Sequence, residues 1–321
     1  MITIVGGNEQ SAIETTMRET CPALTSNRVF GADRYETAAR ISQAGFPSTA
    51  SVVYVATGEN YPDALATAPA ATVHGGPLLL TLPAVLPEVI SRELTRLKPK
   101  RVVVGGTEAV STSVFKAIKA IVPNTTRIAG ADRFETARLI VAKAFPSATA
   151  AFVATGLNFP DALSASAAGG VMRAPVVLVD GNAPAADPAT TSLLRGLGVK
   201  TITVVGGEEA VSSGIQKSLS AITAVTRTSG YDRFDTSAAV NAAAFERADT
   251  AYLATGLSFP DALAGAALAG SRGAPLFVVQ PQCVPHSTFS ELDRMKVKTV
   301  TLLGGPGALN ASMDQLTECR W

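Results

Sequence analysis

Short runs of β-branched and aliphatic residues alternate along this chain with longer stretches in which apolar positions recur every three to four residues. Val52-Val53-Tyr54-Val55 reads as a buried strand. Pro62-Asp63 then opens a helix, Pro suiting an early helical position and Asp a cap. Leu78-Leu79-Leu80 is a second strand, and Pro87 to Leu97 a helix with Val89, Ile90, Leu94 and Leu97 on one side. Val102-Val103-Val104 is a strand ending at Gly105-Gly106. The next helix buries Val110, Val114, Ile118 and Ile121/Val122, and a later counterpart uses Val211, Ile215, Leu219 and Ile222. Ile128 sits on a short strand, after which Asp132 caps a helix starting at Arg133. Strands that alternate with helices and read as continuous apolar runs predict a parallel sheet covered on both faces.

The pattern repeats. Arg-x-x-Gly-x-Asp-Arg occurs at Arg28 to Arg34, Arg127 to Arg133 and Arg227 to Arg233, so that Asp33, Asp132 and Asp232 stand 99 and 100 residues apart. Ala-Thr-Gly-x-(Asn/Ser)-(Tyr/Phe)-Pro-Asp-Ala-Leu keeps the same register at Ala56 to Leu65, Ala154 to Leu163 and Ala254 to Leu263. Apolar runs follow Pro77, Pro175 and Pro275. A strand ending in Gly-Gly appears four times, at Gly6-Gly7, Gly105-Gly106, Gly206-Gly207 and Gly304-Gly305. A period near 100 exceeds the roughly 20–50 residues of solenoid repeats and is the size of a small domain. The expectation is an α/β protein of three similar parallel-sheet units, each with about four strands. Residues 1–27 form an extra Gly-Gly strand and helix, and the modules run 28–126, 127–226 and 227–321. No Gly/Ser- or Pro-rich linker separates them, which favours a compact pseudo-threefold ring.

Composition narrows the function. With 27 Lys+Arg against 26 Asp+Glu, bulk attraction to a polyanion such as nucleic acid is excluded, and any anion site must be local. Aromatics are 6% with Trp321 the single Trp, which argues against a carbohydrate module built on Trp platforms. No stretch of about 20 residues is apolar throughout, so membrane insertion is not expected. The start, Met1-Ile2-Thr3-Ile4-Val5, lacks the pattern of a signal peptide. Two histidines (His74, His286) and three cysteines without a CxxC do not supply a zinc set.

Gly31-Ala32-Asp33-Arg34-Tyr35-Glu36-Thr37-Ala38, Ala-Thr-Gly-Glu-Asn-Tyr-Pro-Asp-Ala-Leu and Val-Val-Val-Gly-Gly together resemble the signature blocks of the bacterial cell-wall-binding repeat 2 family. The resemblance covers essentially the whole chain. It implies three modules of Toprim-like, Rossmann-like topology in a compact pseudo-trimer. It also implies a secreted protein of a Gram-positive cell surface that holds an anionic cell-wall glycopolymer non-covalently, as a monomer and without a cofactor. The extra N-terminal Gly-Gly strand departs from the family pattern and leaves open which end of the chain completes the ring.

In a parallel sheet the loops after the strands share one edge, where ligands bind. Gly58, Gly156 and Gly256, and the Gly-Gly pairs, map there, either to let a ligand approach or to satisfy tight turns. Arg34, Arg133 and Arg233 each follow a capping Asp at a positive helix end, where a cation is locally unfavourable by roughly 0.3–1 kcal/mol. A phosphate or carboxylate ligand would compensate, and so would an internal ion pair with Asp63, Asp161 or Asp261 as orienting acids. Arg28, Arg127 and Arg227 read as lying at a strand start, on the opposite edge if the strand is short, either as a solvated strand end or as second-choice anion contacts. Thr57, Thr155 and Thr255 offer a hydroxyl to a ligand oxygen or to the loop backbone. Tyr61, Phe159 and Phe259 are expected in the core rather than stacked on sugar.

Cys21 and Cys319 each lie 15 residues after a Gly-Gly strand, at equivalent helix ends that a helix of about a dozen residues, roughly 18 Å long, carries away from the loop edge. Cys283 follows a strand on that edge. A Cys283–Cys319 bond is then disfavoured, and Cys21–Cys319 preferred if any pair forms. No Ser-His-Asp set or Gly-rich phosphate loop accompanies the repeats. The alternative of an α/β enzyme acting on a nucleotide or phosphosugar would require one unit to diverge in its motif loops, and they are nearly alike.

Overall fold

The computed structural model of the chain describes residues 24–319. Twelve strands are found there: β1 (Thr25–Val29), β2 (Val52–Thr57), β3 (Leu78–Thr81), β4 (Arg101–Val104), β5 (Thr125–Arg127), β6 (Ala150–Thr155), β7 (Val176–Val179), β8 (Thr201–Val205), β9 (Ala224–Thr228), β10 (Thr250–Thr255), β11 (Leu276–Val279) and β12 (Thr299–Leu303). The α-helices are α1 (Arg34–Gly45), α2 (Pro62–Val73), α3 (Glu88–Leu97), α4 (Thr112–Ile121), α5 (Arg133–Ala144), α6 (Pro160–Met172), α7 (Pro188–Gly196), α8 (Ser213–Leu219), α9 (Arg233–Ala244), α10 (Pro260–Ser271) and α11 (His286–Arg294). A 3₁₀ helix spans Ala311–Gln315.

The strands form three four-stranded sheets, ordered β3-β2-β4-β5, β7-β6-β8-β9 and β11-β10-β12-β1, parallel at every pairing. The inner strand β2 is buried along its whole length, as two-sided coverage requires, and so is the edge strand β3 beside it. In the third sheet the outer strand is β1, 274 residues from its partner in sequence, so the N-terminal strand closes the ring. The segment before it, with Gly6-Gly7 and Cys21, lies outside the described residues.

Each repeat motif crosses from one sheet to the next. β1 belongs to the third sheet, yet α1 packs on β3 of the first. Likewise β5 leads to α5 against β7, and β9 to α9 against β11. The three units are interlocked by these exchanges rather than strung together. At the centre α2, α6 and α10 contact one another pairwise. They are rich in Ala, Gly and Ser and buried all round, so their backbones approach closely. Ser166 Oγ on α6 donates to Leu65 O on α2 at 3.2 Å.

Two expectations are corrected. Asp63 does not cap α2: the N-cap position is Tyr61, without a capping side chain, and Pro62 starts the helix. The Asp63 carboxylate instead reaches the next loop and accepts the Gly106 N–H at 2.8 Å. Second, Cys283 and Cys319 are disulfide-bonded, with Cα atoms 4.9 Å apart. No long helix follows Gly305. Only the short 3₁₀ turn forms, Leu316 takes a left-handed conformation (φ 50°), and the chain folds back beside Val284. Val284 N–H donates to Thr317 O at 2.8 Å and Cys319 N–H to Val284 O at 2.9 Å, which keeps Cys319 at the loop edge.

Candidate functional site

The crossover segments hold the candidate residues. Asp33 caps α1 by accepting the N–H groups of Tyr35 and Glu36 at 2.9 and 2.8 Å. Asp232 caps α9 in the same way through the N–H groups of Phe234 and Asp235, and Asp132 caps α5 through that of Glu135 at 2.7 Å. Each cap sets the following arginine in the first turn of its helix. There Arg34 Nη1 donates to Gly58 O, Arg133 Nη1 to Gly156 O at 3.0 Å, and Arg233 Nη1 to Gly256 O at 2.8 Å. All three arginines are half-buried.

The acids that face them come from the neighbouring unit. Asp261 feels the charge of Arg34, Asp63 that of Arg133, and Asp161 that of Arg233. The interaction is through space, and no direct ion pair joins these partners. Arg34 has Glu59 at 3.9 Å, whereas Arg133 and Arg233 have no ion-paired carboxylate among the described residues. Burial outweighs the arginine field at each acid: all three carboxyls are pushed above the usual range, Asp261 to about 6. Their room comes from the Gly-Gly loops. Gly206 and Gly304 adopt φ of 106° and 115°, and a Cβ there would fall 2.3 and 2.4 Å from the Asp161 and Asp261 Oδ2 atoms.

Arg28, Arg127 and Arg227 do not stand at strand starts on the opposite edge. Their strands begin two or three residues earlier, at Thr25, Thr125 and Ala224, so the arginines reach the carboxyl edge. There they clamp backbone carbonyls. Arg127 Nη1 donates to Gly105 O (2.9 Å), Gly106 O (3.0 Å) and Val110 O (2.6 Å), and its guanidinium lies 4.9 Å from the Phe115 ring centroid. Arg28 holds Gly304 O, Leu309 O and Asn310 O and pairs with Asp314 at 2.8 Å. Arg227 holds Gly206 O and Gln216. Burial pushes the Arg127 and Arg227 guanidinium pKa values down.

Thr57, Thr155 and Thr255 are buried, and each Oγ1 accepts the N–H two residues on, at Glu59, Leu157 and Leu257. They serve the turn. Gly58, Gly156 and Gly256 make room for Tyr35, Phe134 and Phe234, whose rings would lie 2.7–2.8 Å from an added Cβ. Tyr61, Phe159 and Phe259 meet on the pseudo-threefold axis with ring centroids 5.5, 5.6 and 5.7 Å apart. They pack on one another, as expected of core rings. Two further repeated features complete the frame beyond the residues singled out from the sequence: the ring under each glycine, and the buried Thr37, Thr136 and Thr236, which accept the N–H groups of Gly31, Gly130 and Gly230 at 3.0 Å. The signal was present, because (Tyr/Phe)-(Glu/Asp)-Thr follows each Asp-Arg. Among the described residues, no group of three or more potential metal-ligating side chains occurs and no helix is long and apolar enough to cross a membrane.

Comparison with known proteins gives this geometry a family. The chain is 30% identical over 287 residues to the N-acetylmuramoyl-L-alanine amidase LytC of Bacillus subtilis (strain 168), covering 89% of this chain and 56% of LytC. It is 25% identical over 290 residues to an amidase enhancer of the same organism, covering 90% of this chain and 39% of that protein. Among solved structures, Cwp6 from Clostridium difficile superimposes with a TM-score of 0.83 at 28% identity, over 92% of this chain and 48% of Cwp6. Cwp8 from Clostridium difficile gives 0.82 at 27% identity, over 96% and 53%. The chain thus spans about half the length of these relatives or less. Its residues 28–115, 127–216 and 227–314 each match one and the same domain type, so the chain belongs to the Cell wall binding domain 2 (CWB2) family and carries three tandem copies.

Proposed function

We propose that the three crossover loops together bind an anionic glycopolymer of the bacterial cell wall, and that Arg34, Arg133 and Arg233 supply the charged contacts. The observation that carries this is the state of these arginines. Each is half-exposed on the carboxyl edge of the sheets, anchored by one donor to a glycine carbonyl, and not in direct contact with its facing aspartate. Remaining guanidinium donors are free for phosphate or carboxylate oxygens. Glycines 58, 156 and 256, the threonines, Asp63, Asp161 and Asp261, and the clamps Arg28, Arg127 and Arg227 form the frame that holds them. Three modest sites on one rigid body add by multivalency, which suits retention on a repeating polymer without high affinity at any one. The protein acts as a monomeric, non-catalytic surface anchor, and the amidase activity in a relative's name belongs to that relative.

The test is co-sedimentation with purified Gram-positive walls before and after acid removal of their secondary polymers. The chain should pellet with intact walls and stay soluble with stripped ones. The triple variant Arg34→Ala, Arg133→Ala, Arg233→Ala should keep its circular dichroism and lose at least tenfold in wall affinity. Retention of the folded triple variant on walls removes the arginines from the site. Equal binding to stripped walls removes the anionic polymer as ligand.

A further inference from the structure

The loops that lead into the strands of the third sheet surround a cleft of about 680 Å³. Residues 247–250 enter β10, Arg272, Gly273 and Ala274 enter β11, Met295 and Lys296 precede β12, and Ala44 at the end of α1 closes one side. The cleft therefore lies on the edge opposite the crossover loops, which follow the strands. Arg247, Arg272 and Lys296 line it against a single carboxylate, Asp249, and that acid is already paired with Lys298 at 2.8 Å. Lys296 also reaches Asp293 at 3.3 Å, whereas Arg247 makes no hydrogen bond or salt bridge among the described residues. Arg272 Nη2 donates to Ala44 O at 3.0 Å and Gly45 O at 3.4 Å, which holds the guanidinium in place with Nη1 and Nε unbonded among the described residues.

The pseudo-threefold symmetry shows what is particular to this unit. Tyr54, Phe152 and Tyr252 are equivalent, each the third residue of its strand and each donating its N–H to a proline carbonyl, of Pro77, Pro175 and Pro275. In the first unit the Tyr54 hydroxyl is bonded to His74 Nδ1 at 2.7 Å. His74 stands as far after Asp63 as Met172 does after Asp161 and Arg272 after Asp261. Arg272 thus replaces the histidine, and its charge reaches the Tyr252 oxygen. The Tyr252 hydroxyl has no hydrogen-bond partner among the described residues, although the residue is only 7% exposed. Arg247 stands where the other units have Thr49 and Ser147, one residue before the alanines whose N–H groups bond Leu97 O, Leu197 O and Met295 O. Only in the third unit do both positions carry arginine, beside a hydroxyl left unbonded.

We propose that this cleft binds a sugar phosphate monoester, with Arg247, Arg272 and Lys296 on the phosphate and the Tyr252 hydroxyl and Asp249 carboxylate on the sugar hydroxyls. The planar guanidinium fork matches phosphate oxygens, and three cations suit the dianion of a monoester better than the single charge of a diester. The volume falls within the roughly 300–1,000 Å³ of small-molecule sites, which leaves room for a sugar ring beside the phosphate. A ligand hydroxyl restores the hydrogen bond that a buried phenol is costly to go without. The site is independent of the crossover loops and of what they bind.

The test is isothermal titration calorimetry of the full chain with glucose 6-phosphate, inorganic phosphate and glucose. Glucose 6-phosphate should bind with saturation, inorganic phosphate about tenfold more weakly, and glucose without measurable heat. R247S and Y252F install the residues that the second unit carries as Ser147 and Phe152, so both should keep the wild-type circular dichroism. Affinity for glucose 6-phosphate should fall about tenfold in R247S, which loses a charged donor, and about threefold in Y252F, which loses a neutral one. The triple variant Arg34→Ala, Arg133→Ala, Arg233→Ala should bind it as the wild type does. Wall co-sedimentation of R247S tells the source of the monoester: unchanged for a free sugar phosphate, weakened for one that ends a wall polymer. A wild-type chain that takes up no glucose 6-phosphate overturns the proposal. So does binding that survives in both R247S and Y252F, that vanishes in the triple variant, or that inorganic phosphate matches.

Discussion

At the scale of single residues, the repeated polar groups divide into those spent on the frame and those left over. Arg127 shows the first kind: one guanidinium gathers four loop carbonyls, which are costly to leave unpaired once buried. Asp261 shows an acid kept at a cost. Burial lifts its pKa to about 6 from an ordinary value of 3.8, with Arg34 only partly offsetting. The folded state therefore holds this proton more tightly than the unfolded chain. Its contribution is most favourable below about pH 4, declines as pH rises to about 6, and is flat above. The change is on the order of 3 kcal/mol at most. Urea midpoints measured from pH 4 to 7 should fall with rising pH for the wild type and fall less for Asp261→Asn. An identical slope in the variant would assign the effect to other groups. The caps Asp33, Asp132 and Asp232 were legible because an N-cap is a local rule. The inward turn of Thr57 was not, since a hydroxyl after a strand serves a ligand or its own loop equally well on spacing alone.

At the scale of elements, strand and helix order followed from apolar periodicity, and the sheets have the expected four strands each. What periodicity could not show was which sheet each strand joins. β5 and α5 are neighbours in sequence and belong to different units in space, a tertiary choice that leaves no local mark. The cysteine pairing failed for a related reason. Spacing predicts that Cys319, 15 residues after Gly304, ends a helix like its counterparts, but the segment forms a 3₁₀ turn over Ala311–Gln315 that stops at the left-handed Leu316. The disulfide then closes a loop with a sequence separation of 36, worth about 3–4 kcal/mol by chain entropy. Reduction should lower the melting temperature of the third sheet. Hydrogen exchange should show faster loss of protection in β12 than in β4 or β8 after adding reductant. Equal protection of all three strands would mean that hydrogen bonding from Arg28 suffices to hold the C-terminal segment.

At the scale of the molecule, pseudo-threefold symmetry imposes a rule on its own axis, where three equivalent side chains would have to share one space. At the loop end of the central helices the solution is three rings, Tyr61, Phe159 and Phe259, tilted edge to face. Near the other end it is asymmetry. Thr72 occupies the position whose equivalents are Gly170 and Gly270, and a Cβ on either glycine would lie 2.8 or 2.6 Å from Thr72. One side chain fits and a second does not. Gly170→Thr or Gly270→Thr should therefore destabilise the whole ring by about 1–3 kcal/mol through overpacking. If crowding on the axis is the cause, the single threonine can be moved around it. Thr72→Gly combined with Gly170→Thr keeps one threonine and two glycines and should recover most of the loss in denaturant midpoint. A double variant no more stable than Gly170→Thr alone would show that the penalty arises within α6, and that the helices do not share the space.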